Sequence, residues 1–232
     1  MRDAGPPAWD GLAYVAMGPG KAVTVVDIRE GRAVARIPLE VEAHGLAVTC
    51  DSRVLAADLT RGESLEAREV ATGRMLEAVR VGKGTHHLML SPDGERLLIT
   101  RSEAGRLAVV DPTRMRVVAD LPSGGGANYP VFALDGRTAY VSNLEANDVA
   151  VVDLEAARIT RRIPVRQGPG HMALSPDGRG CTLPPRGAER WSSWTPSGAR
   201  WSGPSGSGAS PTGSRSARMG IGPLWPVTRR GP

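Results

Sequence analysis

The sequence predicts an all-β fold over residues 11–178, a β-propeller of 42-residue, four-stranded blades. Three observations carry that expectation. An acidic residue closes an apolar run every 42 residues. Each 42-residue unit divides into four short β-rich stretches, and turn-forming residues separate those stretches.

The period is visible at several phases. Asp27, Glu69, Asp111 and Asp153 are spaced 42 apart without a gap. The runs before three of them read Val23-Thr24-Val25-Val26, Leu107-Ala108-Val109-Val110 and Val149-Ala150-Val151-Val152. In the second unit the run is degenerate, Ser64-Leu65-Glu66-Ala67-Arg68. Asp51, Asp93, Asp135 and Asp177 share another phase, followed in three copies by Gly94, Gly136 and Gly178. Tyr14-Val15, Leu98-Ile99 and Tyr140-Val141 share a third.

In the best copy the four stretches are Tyr129–Leu134, Thr138–Ser142, Asp148–Asp153 and Ile159–Val165. Val, Ile, Tyr and Leu dominate them, and Gly, Pro, Asn and Asp separate them, which is strand-and-turn punctuation. The third stretch is almost wholly apolar, as a strand covered on both faces must be. The fourth alternates polar residues, as an outer edge strand does. A β-solenoid is the rival reading, but its coils are shorter and have no four-strand meander.

Ala139-Tyr140-Val141-Ser142-Asn143, Val149-Ala150-Val151-Val152-Asp153, Arg162-Ile163-Pro164-Val165 and Ser175-Pro176-Asp177-Gly178 closely resemble the YVTN-type β-propeller repeat. The resemblance spans residues 11–178. It implies a bacterial or archaeal propeller of a group that is mostly exported and often periplasmic. The haem-binding propeller of nitrite reductases and some lactonases have related folds. A shared fold does not carry function with it. The N-terminus, with Arg2 and Pro6-Pro7, has no apolar core of a signal peptide, so the chain as written is expected in the cytoplasm.

Strand counting predicts an incomplete ring. The N-terminal part supplies strands two to four of one blade, three full blades follow, and His171–Ser175 forms a lone first strand. These pieces would formally complete four blades by pairing terminal strands. The resembled family more often has about seven, so an open arc, a fragment of a larger propeller, is the expectation. Such an arc exposes two apolar blade faces and is prone to self-association.

Composition changes near Gly178. Residues 1–178 carry 21 Lys+Arg and 23 Asp+Glu, a net of −2, whereas residues 179–232 carry 8 basic residues and one acidic, Glu189, a net of +7. The basic character therefore belongs to the tail. A nucleic-acid site needs a basic patch on a folded domain, and this argues against nucleic acid as a partner. No run approaches the roughly twenty apolar residues of a membrane span. Cys50 and Cys181 fall one in each part and imply no disulfide framework.

The tail reads as a low-complexity Gly/Ser/Pro/Arg segment without a fold. It nonetheless holds four of the five tryptophans, and the genetic code offers a reason. The repeat places an apolar run ending in aspartate at position 195, where the chain has Trp191-Ser192-Ser193-Trp194-Thr195. Starting each codon at the third base of the preceding one turns this segment into valine, two apolar residues and aspartate. The same shift permits Ser-Pro-Asp-Gly at positions 217–220, one period beyond Ser175–Gly178. A slipped reading frame near Arg179 is therefore expected, with residues 179–232 lacking an evolved fold.

The candidate site lies at the start of the innermost strands. His44 and His86 share one phase with Asn128 and Gly170, and His87 and His171 share the next with Gly45 and Tyr129. That phase lies near one mouth of the central channel, where side chains of successive blades converge. His44, His86, His87, Asn128, Tyr129 and His171 are thus the expected ligand contacts. The plainer reading is that residues there hydrogen-bond a neighbouring blade's backbone. With no carboxylate noticed at a matching phase, no metal site is expected.

Other constellations read as structural. The acidic series Asp27, Glu69, Asp111 and Asp153 caps turns. Ser175, Asp177 and His171 are no triad, because Ser-Pro-Asp-Gly is a repeated turn. Gly124-Gly125-Gly126 lacks the Lys and helix start of a phosphate cradle. The expected function is a non-enzymatic binding scaffold for a small molecule or protein, with no catalytic residue and no cofactor. The alternative is a lactonase-like hydrolase or a redox propeller bearing haem or a metal at the histidines.

Overall fold

The computed structural model describes residues 11–58, 63–165, 168–178, 180–183, 192–195 and 198–202. The first sheet has three strands, β1 (Leu12–Ala16), β2 (Ala22–Asp27) and β3 (Arg32–Pro38). The second is β4 (Ala43–Val48), β5 (Arg53–Asp58), β6 (Ser64–Glu69) and β7 (Met75–Arg80). The third is β8 (Thr85–Leu90), β9 (Leu97–Arg101), β10 (Arg106–Asp111) and β11 (Arg116–Pro122). The fourth is β12 (Ala127–Phe132), β13 (Thr138–Asn143), β14 (Asp148–Asp153) and β15 (Arg158–Pro164). The fifth is β16 (Ala173–Leu174), β17 (Cys181–Leu183), β18 (Ser192–Thr195) and β19 (Gly198–Ser202).

Within each sheet consecutive strands pair antiparallel, and the inner strands β4, β8 and β12 lie side by side. The fold is a β-propeller. No strand pairing joins the first sheet to the last among the described residues, so the ring is open. β16 pairs with β17 and does not complete the first sheet.

Burial follows the blade geometry. In β10, Leu107, Ala108, Val109 and Val110 are all buried. Successive strand residues point to opposite faces, so Leu107 and Val109 pack with Phe132, Val141, Ala150 and Val152 of the next blade. Ala108 and Val110 pack with Leu55, Leu65 and Ala67 of the preceding one. The outer strands β7, β11 and β15 are largely exposed.

The recurrent acids are turn caps. The Oδ1 atoms of Asp27, Asp111 and Asp153 each accept the backbone N–H groups two and three residues on. In the Ser-Pro-Asp-Gly turns, Ser91 Oγ donates to Asp93 and Ser175 Oγ donates to Asp177, each at 2.5 Å. Identical bonding in two copies marks a turn device.

Two findings differ from the sequence expectations. The first strand of the best repeat starts at Ala127, two residues before the expected Tyr129, because a bulge inserts residues into it. Past Gly178, where composition predicts no fold, β17, β18 and β19 continue the meander near the repeat's own phases. The physical reason lies in the fourth blade. Its outer face needs a cover, and Met172 and Cys181 supply one, packing on Val131, Tyr140, Val149 and Ile163. Trp and Thr in the 191–195 segment also suit a strand. Residues 184–191, 196–197 and 203–232 lie outside the described residues, as does the turn expected at 217–220.

The degenerate run of β6 puts charge where its sister strands carry hydrocarbon. Glu66 and Arg68 are 1% and 6% exposed, and stand at the phase of Ala108 and Val110. Arg68 Nη2 lies 3.2 Å from Glu66 Oε2, and Glu66 also accepts the Glu40 backbone N–H. Removing one member of a buried pair costs about 3–5 kcal/mol, whereas replacing both by apolar groups is neutral or stabilising. In urea denaturation, Glu66→Ala is expected to lose about 3–5 kcal/mol. The double variant Glu66→Ala/Arg68→Val, which copies the next blade, should regain most of it. A double variant as unstable as the single one would sink this assignment.

The turn phase gives a second test. Gly94, Gly136 and Gly178 have φ of 76°, 67° and 67°, and Ser52 takes the same place with φ of 62°. A side chain there costs about 1–2 kcal/mol, partly offset by the greater unfolded-state freedom of glycine. Thermal denaturation should show Ser52→Gly stabilised by about 0.5–1 kcal/mol and Gly94→Ala destabilised by a similar or larger amount. Unchanged midpoints in both would contradict it.

Candidate functional site

A bulge at the start of each inner strand builds the site. Register shifts fall between Ala43 and Leu46, Thr85 and Leu88, and Ala127 and Pro130. In a regular strand His86 and His87 would point to opposite faces, but a bulge breaks the alternation. Both rings therefore reach the same cluster, their centroids 4.3 Å apart.

A hydroxyl from the second strand holds the second and third of these bulges. Thr100 Oγ1 accepts the His87 N–H at 3.0 Å and lies 2.6 Å from the Asn128 carbonyl of the next blade. One period on, Ser142 Oγ accepts the Tyr129 N–H at 3.1 Å and lies 2.7 Å from the Gly170 carbonyl. Each hydroxyl therefore ties its own inner strand to its neighbour's. Asp58 occupies the same phase one period earlier and is buried, and its carbonyl accepts from Thr85 Oγ1. The sequence reading missed Thr100, Ser142 and Asp58, although their 42-residue spacing was a signal in plain view.

Five of the six candidate residues contribute rings to one continuous cluster. His44 lies 5.3 Å from His86 and 4.7 Å from His87, between centroids. His87 lies 4.9 Å from Tyr129 and 5.1 Å from His171, and Tyr129 lies 4.7 Å from His171. His44 and His171 are exposed, while His87 is 8% exposed. Asn128 contributes its backbone carbonyl, which lies against the His86 ring. The His86 Nδ1 is buried without a hydrogen-bond partner. Bonding to a neighbouring blade's backbone therefore does not account for this nitrogen.

Against the expectation of no metal site, possible ligand atoms of His44, His86 and His87 all lie within 4.8 Å of one another. His86 and His87 are held in the neutral form near pH 7. Burial, then repulsion by His86, His44 and His171, pushes the His87 pKa down to about 3. Burial and the His44 charge lower that of His86, with the Asn128 carbonyl opposing. Neutral imidazoles keep a lone pair for a ligand. Further along the same inner strands lies a cavity of about 460 Å³, lined by Met89, Leu90, Val131, Phe132, Met172 and Leu174 among others.

No protein family model matches the chain, and no curated protein sequence matches it. Solved structures share its fold. Kuenenia stuttgartiensis hydrazine synthase aligns with a TM-score of 0.67 at 20% identity, covering 75% of this chain and 52% of that one. A functionally unknown protein from Desulfotomaculum acetoxidans DSM 771 aligns at 0.69 and 15% identity, covering 78% and 61%. The dihydro-heme d1 dehydrogenase NirN in complex with DHE aligns at 0.67 and 18% identity, covering 85% and 45%. At such identities the likeness is one of fold. The chain spans between 45% and 61% of the length of these proteins. Among the described residues, no helix is long and apolar enough to cross a membrane.

The depressed His87 pKa makes stability depend on pH. Its folded value of about 3 lies below the ordinary value of 6.5, so the unfolded chain takes up the proton first. Stability is complete above about pH 6.5 and falls as pH drops toward about 3. Urea denaturation of the metal-free chain at about pH 7.5 and about pH 5 should show a loss of about 2 kcal/mol traceable to His87. In His87→Gln that part of the loss should vanish, and equal losses in both proteins would refute the assignment.

Proposed function

We propose that this chain is the binding part of a non-enzymatic β-propeller that takes a small ligand at the channel mouth formed by His44, His86, His87, Asn128, Tyr129 and His171. The observation that carries the reading is the convergence of five rings from four successive blades on one mouth. A concave site with a few polar groups beside an apolar wall is the usual form of a small-molecule site. The cavity lining along the same strands suits a ligand with an apolar body and an electron-accepting or hydrogen-bonding head. The Ala139-Tyr140-Val141-Ser142-Asn143 repeat supports placing the chain among YVTN-type propellers. Among the described residues the serines of the Ser-Pro-Asp-Gly turns bond the aspartates of those same turns, as turn devices do, which favours binding over catalysis.

NirN was solved with DHE, and a haem-bearing propeller is therefore a second reading to weigh. The histidine spacing argues against it. Ring centroids 4.3–5.3 Å apart leave no slot for a macrocycle, which needs about 7 Å between flanking groups, two van der Waals contacts.

Ligand-observed NMR of aromatic and carboxylate fragments on the metal-free chain tests the mouth. Fragments that bind are expected to lose affinity at least about tenfold in Tyr129→Ala and His171→Ala. Fragments that bind both variants as they bind the parent chain would place the site elsewhere.

A further inference from the structure

Deepening the reading of the mouth as the binding site, we infer that His44, His86 and His87 form a three-histidine site for one divalent transition-metal ion of the zinc type, its fourth position open to the channel. Three observations on separate atoms converge on this. The donor atoms lie within 4.8 Å of one another, before any ion has drawn them in. A tetrahedral ion with bonds of about 2.0–2.1 Å sets donor atoms about 3.3 Å apart. The exposed His44 side chain can swing through that difference.

The second observation is the buried, unpartnered Nδ1 of His86. A buried nitrogen without a partner is costly, and an ion supplies the missing bond. The third is the arrangement behind it. The Asn128 carbonyl of the next blade lies against the same ring, and metal-bound histidines characteristically have such an outer partner. The carbonyl is itself fixed by the Thr100 hydroxyl at 2.6 Å.

The donor set selects the ion. Three neutral imidazoles suit zinc, copper, nickel and cobalt, whereas calcium and magnesium need oxygen ligands. Three protein ligands leave a tetrahedral ion one position for water or for the head of a bound molecule. Tyr129 and His171 pack against the His87 ring, 4.9 and 5.1 Å away between centroids.

The untagged, EDTA-treated 232-residue chain is titrated with Zn²⁺ by calorimetry and with Co²⁺ by visible absorption. One ion per chain, a Kd of about 1 µM or tighter and the absorption bands of tetrahedral Co²⁺ are expected. His44→Gln, at an exposed position, should weaken binding at least about 30-fold, and His86→Gln should do the same. Circular dichroism checks that both variants keep the parent's fold, and His44→Gln carries the test should His86→Gln unfold. His171→Gln should leave the affinity within about threefold. Absence of binding up to about 100 µM Zn²⁺, or binding unaffected by His44→Gln, overturns the metal site. If the fragments bound by the metal-free chain are still lost in Tyr129→Ala, only the metal assignment falls. If neither ion nor fragment binds the mouth, the underlying reading falls with it.

Discussion

Each blade of this protein is a sheet with two apolar faces, and each face is buried only by the blade beside it. Leu107 and Val109 face forward while Ala108 and Val110 face backward, so β10 belongs equally to two interfaces. Burying one such side chain stabilises the fold by about 1.5–3 kcal/mol, and neither interface forms without the neighbour. Stability is therefore a sum over adjacent pairs, as in other repeat proteins. The ion pair Glu66–Arg68 is tolerated because its polar atoms are satisfied within that same seam. The same need is met past the fourth blade by Met172 and by Cys181 of β17, which cover its face.

The channel mouth inherits this dependence. Packing the blades face to face brings the inner strands β4, β8 and β12 together, and the bulges turn adjacent side chains toward one spot. The hydroxyls of Thr100 and Ser142 then set the spacing between successive strands. What results is a cluster of imidazoles in which burial and the neighbouring rings hold His87 neutral, with one His86 nitrogen left unpartnered. Such a cluster is a donor site more readily than an acid–base machine, because the depressed basicity that keeps His87 neutral also makes it a poor proton carrier.

Much of this architecture was legible in the residues. The spacing of Asp27, Glu69, Asp111 and Asp153 revealed the repeat, because a turn cap cannot drift without disturbing the strands on either side. The burial of the third strand was legible in its unbroken apolar runs. The histidine phase pointed to the start of the inner strands, where the rings come together. The bulges were not legible, since a register shift comes from backbone hydrogen bonding and leaves no fixed residue signature. Without them, His86 and His87 could not both be assigned to one cluster, and a metal site looked unsupported. The unpartnered His86 Nδ1 depends on how the neighbouring blades bury it, a relation no local motif records. Strands past Gly178 escaped the reading because composition was weighed there in place of the uncovered face before it.

The Thr100 and Ser142 clamps have a consequence for how such a molecule can change over generations. Each hydroxyl serves a strand in its own 42-residue unit and a carbonyl in the following one. Copying a single unit within the gene would bring its histidines but pair them with a different successor, and so would not reproduce the mouth. New binding properties in a chain of this kind arise at the seams, where an altered residue in one unit changes what the next unit presents.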